Sequence, residues 1–236
     1  MSIPQIACKG VIFDLFGTLV GHFSVKENEA FLLELSRLLG VVKEKCSEEW
    51  QALASDALIG RFTTVEDKLR ALLRNLNATP SEAVLGRARR LKLDHARELL
   101  KERPGAIEIL SYLQGEGYAL GLISACGPDV VELWQECPLR QYFPSPIFSC
   151  EAKVNKPDRR IYEICCDRLG VSIEECIYVG DGTGQELTGA RECNMQAILL
   201  RTPLDDVYDP VRDDVKEWNG SVIDRLLDLK DVVRFG

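Results

Sequence analysis

Histidine is scarce: His22 and His95 are the only two in 236 residues, and neither has ligand spacing around it. A zinc centre is therefore not expected. Positive charge is also short, with 29 Lys and Arg against 37 Asp and Glu and a net charge of −8. Neutralising a nucleic-acid backbone needs a clustered basic surface, so nucleic acid is excluded as the main partner. No apolar run approaches the roughly 20 residues of a membrane span, which excludes a membrane partner. Cys-x-x-Cys pairs are missing although cysteines number nine, an odd count that includes the adjacent Cys165 and Cys166. With no secretory leader, these read as reduced thiols used as small core hydrophobes, and the expected location is the cytoplasm. Repeats and low-complexity stretches are absent too. What remains is an ordinary globular composition, 46% hydrophobic and 28% charged.

The pattern along the chain is uneven. Val11-Ile12-Phe13 is a short apolar run that delivers Asp14 to its end, after which Gly17 and Thr18 turn the chain away. Such a run reads as a buried strand presenting an acid at its C-terminal edge. From about Val25 to Leu100 the spacing is helical throughout. Phe31-Leu32-Leu35-Leu39 stops at Gly40, Trp50-Leu53-Ala54-Ala57-Leu58 stops at Gly60, Thr64-x-x-Asp67 resembles a helix start, and Ser81-Glu82 opens another helix.

After Pro104-Gly105 strands alternate with helices. Strands are predicted at Tyr118–Ser124, Pro146–Ser149, Cys176–Asp181, Gln196–Leu200 and Ser221–Ile223. Helices are predicted at Ala106–Gln114, Asp129–Gln135, Arg159–Leu169, Gln185–Cys193 and Asp224–Val232. This alternation implies an α/β fold with a doubly wound parallel sheet. The expected division is a core of residues 1–20 and 101–236, with an inserted all-helical cap at 21–100.

Three predicted strands thus end in Asp14, Ser124 and Asp181, and Lys156 precedes a proline at a helix start. Open α/β sheets bind ligands at such edges, so Asp14 is a candidate nucleophile. Taken together, Asp14-Leu15-Phe16-Gly17-Thr18, Ser124, Lys156-Pro157-Asp158 and Val179-Gly180-Asp181 with Glu186 and Gly189-Ala190 resemble, in order and spacing, the haloacid dehalogenase-like hydrolase superfamily. The position of the insert is similar to that of members with a first-type helical cap.

The resemblance implies a Rossmann-like core and a set of roles. Asp14 would be the nucleophile and Lys156 would hold it ionised. Thr18, Ser124 and Ala125 would line the substrate's anionic group. Asp14, Asp181, Glu186 and the backbone carbonyl of Phe16 would bind Mg²⁺, which favours hard oxygen ligands. The substrate implied is a small phosphorylated molecule. A local cation would also let an acidic protein bind an anion.

Three positions depart from the family's pattern. Phe16 stands where phosphatases of the family carry a second Asp that protonates the leaving group. Ala125 stands where Asn often follows the serine, and Glu186 where Asp is usual. An aromatic at 16 is similar to members that cleave carbon–halogen bonds without metal, yet those generally lack the Gly-Asp pair kept here as Gly180-Asp181. Two alternatives to a phosphatase therefore stay open: a metal-independent 2-haloacid dehalogenase-like enzyme, or a degenerate member that binds a ligand or a partner. His22, at the hinge into the insert, could supply the missing proton. Arg61, at the turn Gly60-Arg61-Phe62, could read a substrate anion. The oligomeric state is not readable from the sequence.

Overall fold

The computed structural model of the chain describes residues 5–201 and 213–236. Two short strands open it, β1 (Ile6–Cys8) and β2 (Gly10–Phe13), the second buried along its whole length. Later come β3 (Ala119–Ser124), β4 (Ile147–Phe148), β5 (Cys176–Gly180), β6 (Gln196–Leu200) and β7 (Ser221–Ile223). They form a six-stranded parallel sheet in the order β4-β3-β2-β5-β6-β7. The chain runs from β2 outward through β3 to β4, then returns to the other side of β2 with β5. The switch point therefore lies beside the C-terminal end of β2, where such sheets leave a crevice for ligands.

Both faces of β2 are covered, as a parallel sheet requires. Side chains alternate across a strand, so Val11 and Phe13 join one apolar layer and Ile12 the other. The first layer includes Ile109, Leu110 and Leu113 of the helix at Ala106–Gly115, and the second includes Tyr162 and Cys165 of the helix at Arg159–Leu169. Gly121 of β3 allows that second helix to sit close, since a Cβ there would stand 2.8 Å from the Cys165 sulfur.

Between β2 and the Ala106–Gly115 helix lie five helices and no strand: α1 (Val25–Leu39), α2 (Lys43–Ala52), α3 (Ala54–Leu58), α4 (Val65–Asn75) and α5 (Glu82–Leu99). Ser24 caps α1, which ends in the left-handed Gly40. Thr64 and Asp67 form a full capping box at the start of α4, the arrangement their spacing predicts. The two segments joining the insert to the sheet run side by side. Gly21 donates its N–H to the Lys101 carbonyl at 3.3 Å, and Arg103 donates to Leu19 at 2.9 Å.

Three expectations change. The apolar spacing from Trp50 to Leu58 predicts one helix, but the chain breaks at Leu53 into α2 and α3; periodicity runs through the break and does not register it. Ser149 is not the end of a strand, since β4 stops at Phe148 and a short helix, Ser149–Ala152, follows. The helix expected at Asp224–Val232 is a 3₁₀ turn at Leu226–Asp228 and a single helical turn at Leu229–Val232. The chain then enters β8 (Val233–Phe235), which pairs with β1 in a separate parallel ribbon. Asp228 accepts the Arg225 N–H at 2.9 Å and fixes that turn. No described helix is long and apolar enough to cross a membrane.

Candidate active site

Asp14 follows directly on β2, and its N–H donates to the Val179 carbonyl of β5 at 2.9 Å. The ladder thus extends to the nucleophile candidate and fixes its carboxylate at the crevice. The turn after it depends on Gly17, whose φ is +80° and whose Cβ, if present, would lie 2.0 Å from an Asp181 oxygen. Only glycine satisfies both conditions. Gly180 has a similar reason: a Cβ there would meet Glu186 Oε1 at 2.3 Å.

Lys156 arrives from the loop after the Ser149–Ala152 helix and joins the carboxylates. It donates to Asp14 Oδ1 at 2.6 Å, to Glu186 Oε2 at 2.5 Å and to the Tyr178 hydroxyl at 3.2 Å. Tyr178 donates in turn to Glu186 Oε2 at 2.9 Å, and the Gly182 N–H to Glu186 Oε1 at 3.0 Å. Both Glu186 oxygens are therefore engaged. Its helix, Glu186–Glu192, is anchored from two sides. Tyr162 donates to the Glu186 carbonyl at 2.8 Å, and Asp214 accepts the Leu187 N–H at 2.8 Å. A carboxylate at a helix N-terminus satisfies donors that have no partner within the helix.

The cluster is nearly dry, with Asp14 5%, Lys156 8%, Asp181 1% and Glu186 0% exposed. Burial raises the Asp14 pKa, and Asp181 adds to this, while Lys156 pulls in the opposite direction. For Lys156 burial favours the neutral amine, but the charges of Asp14 and Glu186 outweigh it and the pKa is raised. Burial and the Asp14 charge push Glu186 up to about 8. Three carboxylates and one ammonium leave the site short of positive charge.

That shortage has a geometric counterpart. One oxygen from each of Asp14, Asp181 and Glu186 lies within 4.8 Å of the others. Asp14 Oδ2 is buried with no hydrogen-bond partner among the described residues. Hard carboxylate oxygens buried and gathered this closely fit a small divalent cation.

Over the cluster opens a cavity of about 400 Å³, with Asp14, Phe16, Asn155, Lys156 and Asp181 on the side of the sheet. Ala125 and His22 also lie on its wall. Phe16 packs against Phe23, ring centres 4.5 Å apart. Thr18 and Ser124 are fully buried, and their hydroxyls have no hydrogen-bond partner among the described residues; neither lines the cavity. Arg61 does not line the cavity; 66% of its side chain is exposed, and it pairs with Asp56 at 3.2 Å.

The structure also places residues there that sequence reasoning missed. Tyr178 is buried within its strand and reads as core. Asn155, adjacent to Lys156, has a buried unpartnered carbonyl oxygen, and its position beside the lysine was the available signal. Nothing in the sequence pairs Asp214 with residues 187 and 188. Lys68, Lys92, His95 and Asp129 come from three helices and meet only in the fold.

The fold and site together are those of a parallel α/β sheet with a buried Asp–Lys–Glu–Asp cluster at its switch point. The chain belongs to the haloacid dehalogenase-like hydrolase family, which it matches over residues 8–212. It is 30% identical over 167 residues to the glyceraldehyde 3-phosphate phosphatase of Methanopyrus kandleri, covering 69% of this chain and 70% of that protein. Its fold is similar to that of a 2-haloacid dehalogenase from Pseudomonas syringae pv. Tomato, with a TM-score of 0.68 at 22% identity over 95% and 97% of the two chains. A family enzyme from Bacteroides thetaiotaomicron in complex with magnesium and inorganic phosphate has a TM-score of 0.65 at 15% identity, over 83% and 95%.

Proposed function

We propose that this hydrolase is a magnesium-dependent phosphatase of a small phosphorylated molecule, with Asp14 as its nucleophile. The observation that carries this reading is the division of labour between the two Asp14 oxygens. Oδ1 is held by Lys156 at 2.6 Å, and Oδ2 has no partner among the described residues. Asp14 Oδ2 attacks phosphorus as the bond to the leaving oxygen breaks, which gives an aspartyl phosphate and an alkoxide or phenoxide that takes its proton from water. Water then cleaves that intermediate to phosphate and restores Asp14.

Lys156 keeps Asp14 ionised in a dry site and offsets charge on the transferred group. Asp14, Asp181 and the Phe16 carbonyl would hold Mg²⁺, and Glu186 serves mainly to fix Lys156, since both its oxygens already accept hydrogen bonds. When bound, the ion would neutralise phosphoryl oxygens. Ala125, on the cavity wall, flanks the phosphoryl position, while Thr18 and Ser124 are buried off the cavity, and residues 21–100 act as a cap that excludes water. Nine buried, unpaired cysteines support a reducing, cytoplasmic setting. The phosphatase among its relatives supports phosphoryl transfer.

Purified protein with Mg²⁺ is expected to release phosphate from p-nitrophenyl phosphate, and Asp14→Asn is expected to abolish the release. Equal turnover by the Asn variant refutes the assignment. Phe16, on the cavity wall against Phe23, favours a second reading: displacement of halide from a 2-haloacid, whose leaving group needs no proton. Chloride release that survives EDTA would select it. Absence of both activities together with absence of Mg²⁺ binding would select a non-catalytic binder.

A further inference from the structure

Away from Asp14 the cavity wall is largely apolar, with Phe23, Phe31, Ala57 and Leu58 among its residues. On the side of the inserted helices it meets a group of charges that the hydrolytic step does not use. Lys92 of α5 donates to Asp129 at 2.6 Å, with the two side chains 12% and 15% exposed. Lys68 of α4 lines the same region. Its ammonium lies 3.8 Å from the centre of the Trp50 ring, feels the Asp129 carboxylate at longer range, and makes no salt bridge or hydrogen bond among the described residues. Burial, with repulsion from Lys92, lowers its pKa to about 8. His95, one turn beyond Lys92, stacks on Phe31 with ring centres 4.7 Å apart, and both its nitrogens are buried without a partner among the described residues.

The charges at this end do not cancel. Two ammonium groups, Lys68 and Lys92, share the one Asp129 carboxylate, which leaves one net positive charge on an apolar wall. Burying an unpaired charge is unfavourable, and an anionic ligand removes the penalty. His95 supplies an N–H donor or an acceptor nitrogen that nothing in the protein uses.

We propose that this end of the cavity binds a carboxylate carried by the substrate's leaving group, so that the preferred substrate is the phosphomonoester of a small hydroxy acid with an apolar spacer. The proposal rests on the phosphatase reading for its reaction and on the cavity alone for its ligand. A single net positive charge matches a monoanion. A second phosphate, near −2, would meet the Asp129 carboxylate without enough cation to offset it. The apolar wall accounts for the spacer.

The test is titration calorimetry of the full chain, with Mg²⁺, against non-hydrolysable ω-phosphonoalkanoates of increasing length and the methyl esters of the same compounds. A charge-assisted contact in a dry site should favour acid over ester by about 10- to 100-fold at the matching length. Lys68→Met, close in length and relieved of a buried charge, should bring that ratio near one. Asp129→Asn adds a net positive charge and should shift preference from the carboxylate to an α,ω-bisphosphonate. Equal binding of acid and ester at every length, or an acid preference that survives Lys68→Met, overturns the proposal. Phosphate release from p-nitrophenyl phosphate by the same preparation separates the two readings. Turnover without acid preference sinks the subsite alone, and acid preference without turnover sinks the phosphatase reading alone.

Discussion

Replacing Lys156 with methionine tests the electrostatics on which the site depends. The side chain is 4% exposed and lies between Asp14 and Glu186, themselves 7% and 0% exposed. Methionine keeps most of the volume and removes the charge. Asp14 Oδ1 then has no counter-ion, and Glu186 Oε2 keeps only the Tyr178 hydroxyl. Removing one member of a buried ion pair costs about 3–5 kcal/mol. For a chain of this length each kcal/mol shifts the melting temperature by roughly 2–4 °C, so a fall of about 6–20 °C is expected at pH 8 without metal.

The loss should shrink towards pH 5. Asp14 and Glu186 have raised pKa values in the folded protein, so they bind protons there that the unfolded chain does not. Groups of that kind contribute stability that is present at low pH and is lost as pH rises through the folded value. Lys156, whose pKa is raised, stays charged over pH 5–8 and adds no slope of its own there. Magnesium at about a hundred times its Kd should restore roughly 2.7 kcal/mol by mass action. Melting followed by circular dichroism at pH 5 and 8, in EDTA and in Mg²⁺, reads all of this. A shift of less than about 2 °C at pH 8, or a melting temperature of the variant that Mg²⁺ does not raise, refutes the description of the cluster as a dry, charge-deficient cation site.

Two further perturbations address other parts of the cavity. Phe16→Asp supplies the missing proton donor and should raise phosphate release from alkyl phosphates by about 10²–10⁴, with a much smaller gain on aryl phosphates whose leaving groups need no proton; an equal response from the two would show that proton supply is not limiting. His95 is held at about pKa 4, chiefly by burial and then by Lys92, so the unfolded chain takes up a proton there before the folded one does. Its contribution to stability is present above about pH 6.5 and is lost as pH falls towards 4, and His95→Phe should flatten the melting profile over that window.

Asp14, Lys156 and Asp181 were legible because each terminates an apolar run or shortly precedes a helix, and such positions follow from one-dimensional patterns. The parallel sheet was legible for the same reason, through alternation of short apolar runs with helical spacing. The β1–β8 ribbon was not, since it joins residues 6–8 to 233–235 and neither segment has an alternating pattern long enough to register. The break at Leu53 escaped because helical spacing is preserved across it. Tyr178 and Asp214 act on Glu186 and its helix from elsewhere in the chain, one as an ordinary buried strand residue and the other from a segment with no motif. Lys68, Lys92 and His95 belong to no motif in the sequence. Their burial arises only where α4, α5 and the helix bearing Asp129 close over one space.

Phe16 is easier to understand from its neighbours than from the function it lacks. Its ring packs 4.5 Å from that of Phe23, just before α1, so the turn after Asp14 and the start of the insert share an apolar contact. An Asp at 16 would give up that contact and place a further carboxylate beside Asp14 and Asp181, in a cluster already short of positive charge. The aromatic residue thus favours closure of the cavity and relieves repulsion within it, at the cost of general acid catalysis. On the phosphatase reading, a site built this way turns over fastest those compounds whose leaving group departs as a stable anion, and the gap between aryl and alkyl phosphates in the unmodified protein should be correspondingly wide. Introducing Asp at 16 should narrow that gap and lower metal-free stability in the same variant, two effects of opposite benefit that a purely structural role for Phe16 would not couple.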